Sequence, residues 1–287
     1  MKRLVVTADD FGADLAVNEA VERSHAEGVL TAASLMVGAP AAADAVERAR
    51  RTPSLRVGLH LVLVEGRPVL DPARVPELVD VSGAFRSDMA RLGADIFFRP
   101  AARRQLAAEI EAQFAAFAAT GLPLDHVNAH KHFHLHPTIA GLVIEIGARF
   151  GRPAVRAPIE PRAVLRRARP GEAVSPAWLT GPWAALVRRR LARAGVPAPD
   201  QVFGLHWSGQ MTRERLHGLI RNLPDGLSEI YLHPALVPGR AGGAPGYRYR
   251  EEFEALIDPQ VAAAVREGAI VLGGFADFEP GPARGPP

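Results

Sequence analysis

The chain has 287 residues, 48% of them hydrophobic, with a formal charge of +3 and a sequence pI near 9.8. That length can bury a large core, and the absence of cysteine excludes disulfides, thiolate metal sites and a cysteine nucleophile. The base is almost all arginine, Lys2 and Lys131 being the only lysines, and no basic-aromatic module accompanies it, so no nucleic-acid partner is expected.

Residues 3–8 read as a buried strand, a short apolar run without helical spacing, ending in Asp9-Asp10-Phe11-Gly12. Asp14 can cap a helix over 15–27 that Gly28 stops. A strand over 30–37, a helix opened by Pro40 and a strand over 56–64 containing His60 follow. Residues 65–100, broken by Pro68, Pro72, Pro76, Gly83, Gly93 and Pro100, form an insertion of the length that lids and binding loops use. A helix over 101–120 carries Leu106, Ile110, Phe114 and Phe117 on one stripe.

Five of the ten histidines then fall between His126 and Pro137, all on even numbers: His126, His130, His132, His134 and His136. Asn128 shares their phase, whereas Val127, Ala129, Phe133 and Leu135 take the other. Period two is that of an extended strand, here with an imidazole edge. Pro137 opens the next helix. Further strands are expected over 154–157, 201–205, 228–232 and 269–273, with helices over 182–194, 212–222 and 250–267. Residues 158–197 form a second insertion and 279–287 a frayed tail.

Eight strands alternating with helices predict an α/β fold. The length suits a TIM-barrel-like (β/α) barrel, incomplete or distorted, as one catalytic domain over 1–278. A doubly wound open sheet is the alternative, but it lacks a Gly-rich phosphate turn. The start of the chain reaches Asp9 before any apolar stretch of signal-peptide length, and no run nears the roughly 18 apolar residues of a membrane span. A cytoplasmic protein is expected.

In a parallel barrel the active site lies where strands end. Asp9 and Asp10 follow the first strand, His60 lies toward the end of the third, His130 ends the fourth, and His233 follows the seventh. One carboxylate with two imidazoles is a common ligand set for a catalytic divalent metal. An adjacent carboxylate can orient or deprotonate water, and a further histidine can donate a proton. Singly, each has a plainer reading: Asp9 and Asp10 as helix caps, His60 as a core histidine, His233 as a turn residue. His25 and His217 lie on helices, and His206 has no evident partner, so these three are read as structural.

Taken together, Thr7-Ala8-Asp9-Asp10-Phe11-Gly12, Gly58-Leu59-His60-Leu61, the stretch from His126 to Pro137, and Tyr231-Leu232-His233-Pro234 resemble the YdjC-like carbohydrate deacetylases. Residues 30–36, 62–68 and 126–134 are similar to the hopanoid-biosynthesis-associated (HpnK-type) subgroup. The resemblance implies a barrel of the glycoside hydrolase/deacetylase type and metal-dependent removal of acetate from an N-acetylglucosamine group. It implies Asp10, His60 and His130 as ligands of one divalent ion; their nitrogen-rich set leans toward zinc, with magnesium or another divalent ion as the alternative. Asp9 carries over as base and His233 as proton donor. His132, His134, Arg156, Asn128 and Lys131 are placed around the metal or the substrate, with Arg156 orienting Asp9. Many relatives have Asp in place of Asn128 and His in place of Lys131, which bears on the substrate more than on the chemistry.

The subgroup implies a lipid-linked substrate, N-acetylglucosamine on a bacteriohopanetetrol tail. From Pro161 to Gly195 there are eight arginines and one acid, Glu172, interleaved with Trp178, Trp183, Leu186, Val187 and Leu191. Such a stretch suits peripheral contact with an anionic membrane at its inner face, or equally a packed helix with a solvated arginine face. Alternatives are a deacetylase of soluble chitooligosaccharides or another acetylated sugar, a metal-dependent phosphoesterase, and a non-catalytic carbohydrate- or lipid-binding protein.

Overall fold

The computed structural model describes residues 1–174, 181–240 and 242–278. Trp178 and the tail over 279–287 lie outside the described residues. In chain order the elements are β1 (Lys2–Phe11), α1 (Leu15–Glu27), β2 (Ala32–Leu35), α2 (Ala42–Arg51), β3 (Arg56–Leu61), α3 (Met89–Phe98), α4 (Pro100–Ala119), β4 (His126–Ala129), α5 (Pro137–Gly147), β5 (Ala154–Val155), α6 (Arg162–Ala168), α7 (Gly181–Arg193), β6 (Gln201–Phe203), α8 (Arg213–Arg221), β7 (Gly226–Leu232), α9 (Tyr249–Leu256), α10 (Pro259–Glu267) and β8 (Val271–Leu272).

The strands run parallel in the order β5-β4-β3-β2-β1-β7-β6, a curled half-barrel that fits the expected α/β barrel in distorted form. Two details depart from a closed (β/α)8 ring. First, β7 pairs with β1 from Lys2–Gly226 to Ala8–Leu232, so β8 does not enter between them. Instead β8 pairs with the start of β1, Arg3 with Val271 and Leu4 with Leu272. Second, among the described residues β5 and β6 form no ladder. Two backbone bonds bridge that gap, Val155 N–H to the Pro197 carbonyl and Val202 N–H to the Ile159 carbonyl, each 2.9 Å.

β1 is the spine of the sheet because it is apolar on both faces. Leu4, Val5, Val6 and Ala8 are fully buried, as expected of a parallel strand covered by helices on one side and filled within the barrel on the other. The sequence reading of one helix over 250–267 is corrected to two. Asp258 caps a new start, accepting from Gln260 N, and Pro259 cannot donate to the preceding turn, so α9 ends and α10 begins. The two insertions also hold more order than their composition suggests, with α3 in the first and α6 in the second.

Candidate active site

A cavity of about 940 Å³ opens where the strands end. A regular strand would send adjacent residues to opposite faces, yet Asp9 and Asp10 both line this cavity. The reason is local: the β1–β2 register shifts between Ala8 and Phe11, and Asp10 adopts φ 64°. A bulge of this kind re-aims a side chain; the left-handed residue costs about 1 kcal/mol, which the buried surroundings offset.

Asp10 faces two imidazoles. Its Oδ1 lies 3.4 Å from His60 Nε2 and 3.3 Å from His130 Nδ1, and the rings of His60 and His130 meet edge to face at 5.7 Å. One donor atom from each of these residues lies within 4.8 Å of the others, the only such trio among the described residues. Buried Asp10 Oδ1 and His60 Nε2 have no hydrogen-bond partner. Buried polar atoms left unpaired are costly, and here they converge on one point, so the trio fits a divalent cation. Burial alone would raise the Asp10 carboxyl, but the two histidines hold it well below the ordinary range. Its Oδ2 accepts from Arg240 at 2.8 Å.

Asn128 orients the His60 ring. Its Oδ1 sits 2.6 Å from His60 Nδ1, and only a ring N–H can donate to an amide oxygen. Nδ1 therefore carries a proton and Nε2 is the nitrogen that faces Asp10; burial would lower the pKa of the ring, but Asp9 and Asp10 raise it. A partner on the far nitrogen is the arrangement that sets the tautomer of a metal-ligating histidine.

Asp9 is the opposite case. Arg156 donates to both its oxygens, at 2.6 and 2.9 Å, and Asn128 Nδ2 to Oδ1 at 3.1 Å. The same guanidinium donates to Glu229 at 2.7 Å, and Thr7 Oγ1 donates to Glu229 at 2.9 Å. Arg156 also lies 4.4 Å over the Tyr231 ring. Burial pushes the Asp9 carboxyl up, but Arg156 and His60 overcome it and hold it far below the carboxylate range. Arg156 thus forms a buried ion pair with Asp9.

The strand reading of the histidine stretch is corrected. β4 ends at Ala129, and residues 130–135 form a tight 3-10 turn with φ 52° at Lys131 and 53° at His132. The period of two therefore does not carry an imidazole edge into the site. His130 and His132 line the cavity, but His134 does not; its Nε2–H donates to the Arg156 carbonyl at 2.8 Å, and burial takes its pKa down to about 4. His132 Nε2 shares a 2.8 Å hydrogen bond with the Tyr231 hydroxyl, and burial followed by Arg156 keeps its ring neutral. Lys131 pairs with Glu65 at the rim. His136 accepts from Thr138 N as the cap of α5.

His233 lines the cavity from the end of β7, with its Nδ1 unpaired. Burial lowers its pKa, while Asp10 and Asp9 pull the other way. Its backbone N–H donates to Glu252, a carboxyl that burial raises to about 7. Sequence reasoning misses Glu229 and Arg240. A charged residue within the apolar β7 run is a signal for the first; Arg240 sits in a Pro/Gly-rich connection and carries none. His206, without a partner in the sequence, lines the cavity and donates to the Ala173 carbonyl at 3.1 Å.

The profile of a family described as YdjC-like protein matches residues 3–267. A carbohydrate deacetylase from Geobacillus stearothermophilus is 32% identical over 278 residues, covering 96% of this chain and 97% of that one. A carbohydrate deacetylase from Thermoanaerobacter pseudethanolicus is 26% identical over 280 residues, 96% of this chain and 99% of its own. A crystal structure from Enterococcus faecalis V583, provisionally described as a cellobiose-phosphate cleavage protein, superposes with a TM-score of 0.76 at 25% identity, covering 97% of this chain and 99% of that one.

Proposed function

The chain belongs to the YdjC-like protein family, and from that premise we propose that it hydrolyses the acetamide of an N-acetylglucosamine group with a divalent metal. The relatives named as carbohydrate deacetylases make it a hydrolytic deacetylase of an acetylated sugar. The observation that carries the metal reading is the convergence of Asp10 Oδ1, His60 Nε2 and His130 Nδ1, the first two buried without partners.

Asp10, His60 and His130 would hold the ion, which supplies Lewis acidity toward the acetyl carbonyl and a more acidic water. Two nitrogens and one oxygen favour zinc over magnesium. Asp9 lies on the cavity wall as a permanent anion and accepts a hydrogen bond from the attacking water. A carboxylate held so low is a weak proton acceptor, so as base its contribution weighs toward orientation more than toward storing the proton. As water adds to the acetyl carbon its proton passes, by way of Asp9, to the imidazole of His233, which burial keeps in the neutral form. The C–N bond then breaks as His233 returns that proton to the departing amine, giving acetic acid, which ionises to acetate, and the free amino sugar. Ala129, Lys131 and His132 complete the wall beside the metal.

The substrate we assign is lipid-linked, of the hopanoid type. Pro158, Ile159, Leu165, Ala184, Ala185 and Leu205 give the cavity an apolar wall beyond the polar centre, which suits an apolar group attached to the sugar. Buried Val187 and Leu191 pack α7 against the core, and Arg188 and Arg190 donate to the carbonyls of Asp200 and Pro137, both at 2.7 Å. The basic surface available to an anionic membrane is therefore narrower than composition suggests: exposed Arg189 and Arg193 on α7 with half-exposed Trp183, and exposed Arg166 and Arg167 on α6. No helix of the described residues is long and apolar enough to cross a membrane.

Acetate release from N-acetylglucosaminyl lipid and from chitooligosaccharides, with chelator and with zinc or magnesium restored, tests this reading. Metal-dependent release with the larger kcat/KM on the lipid supports it. Release from soluble oligosaccharides alone would move the substrate to the alternative, and no release from any acetylated sugar would end the deacetylase assignment for this chain.

A further inference from the structure

Beneath the metal trio lies a second line of buried polar groups: Asp125, His126, Ser34 and Asn128, each no more than 5% exposed. Their donors and acceptors admit one consistent direction. Burial would raise the Asp125 carboxyl, but hydrogen bonds from His126 and from the backbone of Ala276 and Phe275 hold it below its ordinary value. Asp125 therefore only accepts, and His126 Nδ1–H donates to it at 2.9 Å. Ser34 Oγ has two partners, His126 Nε2 and the amide donor of Asn128, so its own proton goes to His126 Nε2, at 2.9 Å. With its proton committed, Ser34 Oγ presents lone pairs and accepts Asn128 Nδ2–H, also at 2.9 Å. The second amide proton goes to Asp9, and Oδ1 is left facing His60 Nδ1.

We infer that Asp125, His126 and Ser34 are positioning residues for the metal centre: their one-way hydrogen-bond chain fixes the Asn128 amide and, through it, the Nδ1–H tautomer of His60. The inference rests on the metal reading above. Turned over, the amide would aim its oxygen at the Asp9 carboxylate and its NH2 at His60 Nδ1, which would then have to accept. The His60 proton would move to Nε2 and block ligation. Ser34 resists that turn from one side and Asp9 from the other.

The order Asp125-His126-Ser34 has the form of a hydrolytic triad, but Ser34 is fully buried, does not line the cavity and has its hydroxyl engaged on both sides. It is no nucleophile. The fold also makes room for the chain. A Cβ at Gly58 would lie 2.5 Å from the His126 ring, and the ring stacks 5.1 Å from Phe275, so the imidazole is held in place from both sides.

Nitrogen-15 histidine spectra of the metal-free protein read the tautomers directly. The parent should show a proton on Nδ1 of both His60 and His126. Ser34→Ala should populate the Nε2–H form of His60 and weaken zinc binding about 10-fold by calorimetry, as loss of outer partners of metal ligands does. His126→Gln, whose side-chain carbonyl still accepts from Ser34, should keep the parent tautomer. Asn128→Asp, which accepts from both neighbours, should reverse Ser34 and put a proton on His126 Nε2. A folded Ser34→Ala with parent tautomer and parent affinity overturns the inference, as does Asn128→Asp with no proton on His126 Nε2. Should the parent bind no metal while the tautomers shift as stated, the chain stands and the metal reading falls.

Discussion

Asp9 and Asp10 are adjacent, equally buried and chemically identical, yet they occupy two different kinds of environment. Asp9 belongs to a closed cluster, with Arg156 and Glu229 completing a hydrogen-bonded ion triad. Asp10 belongs to an open one: one oxygen pairs with Arg240, and the other faces two imidazoles with nothing to bond. Burial penalises both carboxylates, and both stay charged because cationic or donor groups outweigh it. The difference lies in what is left over. A closed cluster holds geometry, and an open cluster has capacity for a ligand.

Removing the open carboxylate should have the largest effect. Asp10→Asn should lower acetate release at least about 10³-fold, on the scale of losing a main electrostatic group in a site, and activity within tenfold of the parent would break the distinction. The closed cluster should fail through stability. Arg156→Met leaves two buried carboxylates without their cation and should cost about 3–5 kcal/mol in urea unfolding; a cost under about 1 kcal/mol would show that the triad is not held as described.

Glu252 sharpens the comparison because it has neither cation nor open face. It accepts only backbone N–H groups, from Met211 and His233, and burial carries it up to about 7. A carboxyl raised on folding holds its proton longer in the native state, so stability is present below its unfolded pKa and falls as pH rises toward 7. Replacing Glu252 by Gln should remove that slope, on the order of 3 kcal/mol between pH 4.5 and 7, measured as unfolding free energy against pH. An unchanged slope would place the proton elsewhere; Glu160, also raised to about 7 by burial, is the group to test next. The smallest effect is expected at the surface. Arg221 and Glu267 pair at 2.7 Å with more than half of each side chain exposed, and Arg221→Ala should change stability by less than about 0.5 kcal/mol. A larger loss there would mean that burial does not govern the ion pairs of this protein.

How much of this was legible beforehand follows from the physics of each feature. Strand ends were readable because buried parallel strands are short apolar runs, and the polar residues at those ends stood out as Asp9, Asp10, His60, His130 and His233. The course of the chain after Ala129 was not, because the even spacing of His130, His132 and His134 reads as a strand, while the backbone turns left-handed at Lys131 and His132. Nor was the bulge at Asp10, since no local residue demands it. The place of β8 beside the start of β1 depends on pairings made across the whole chain. Arg240 and the Ser34–His126 contact are long-range, and periodicity carries no information about them. Asn128 was visible as a departure from relatives, but its partners His60, Asp9 and Ser34 come from three other strands.

The division between the closed and the open carboxylate is tested most directly by zinc titration calorimetry of the parent, Asp9→Asn and Asp10→Asn. The parent should bind one equivalent, Asp9→Asn one despite its lost turnover, and Asp10→Asn none. Zinc retained by Asp10→Asn, or lost from a folded Asp9→Asn, would contradict it.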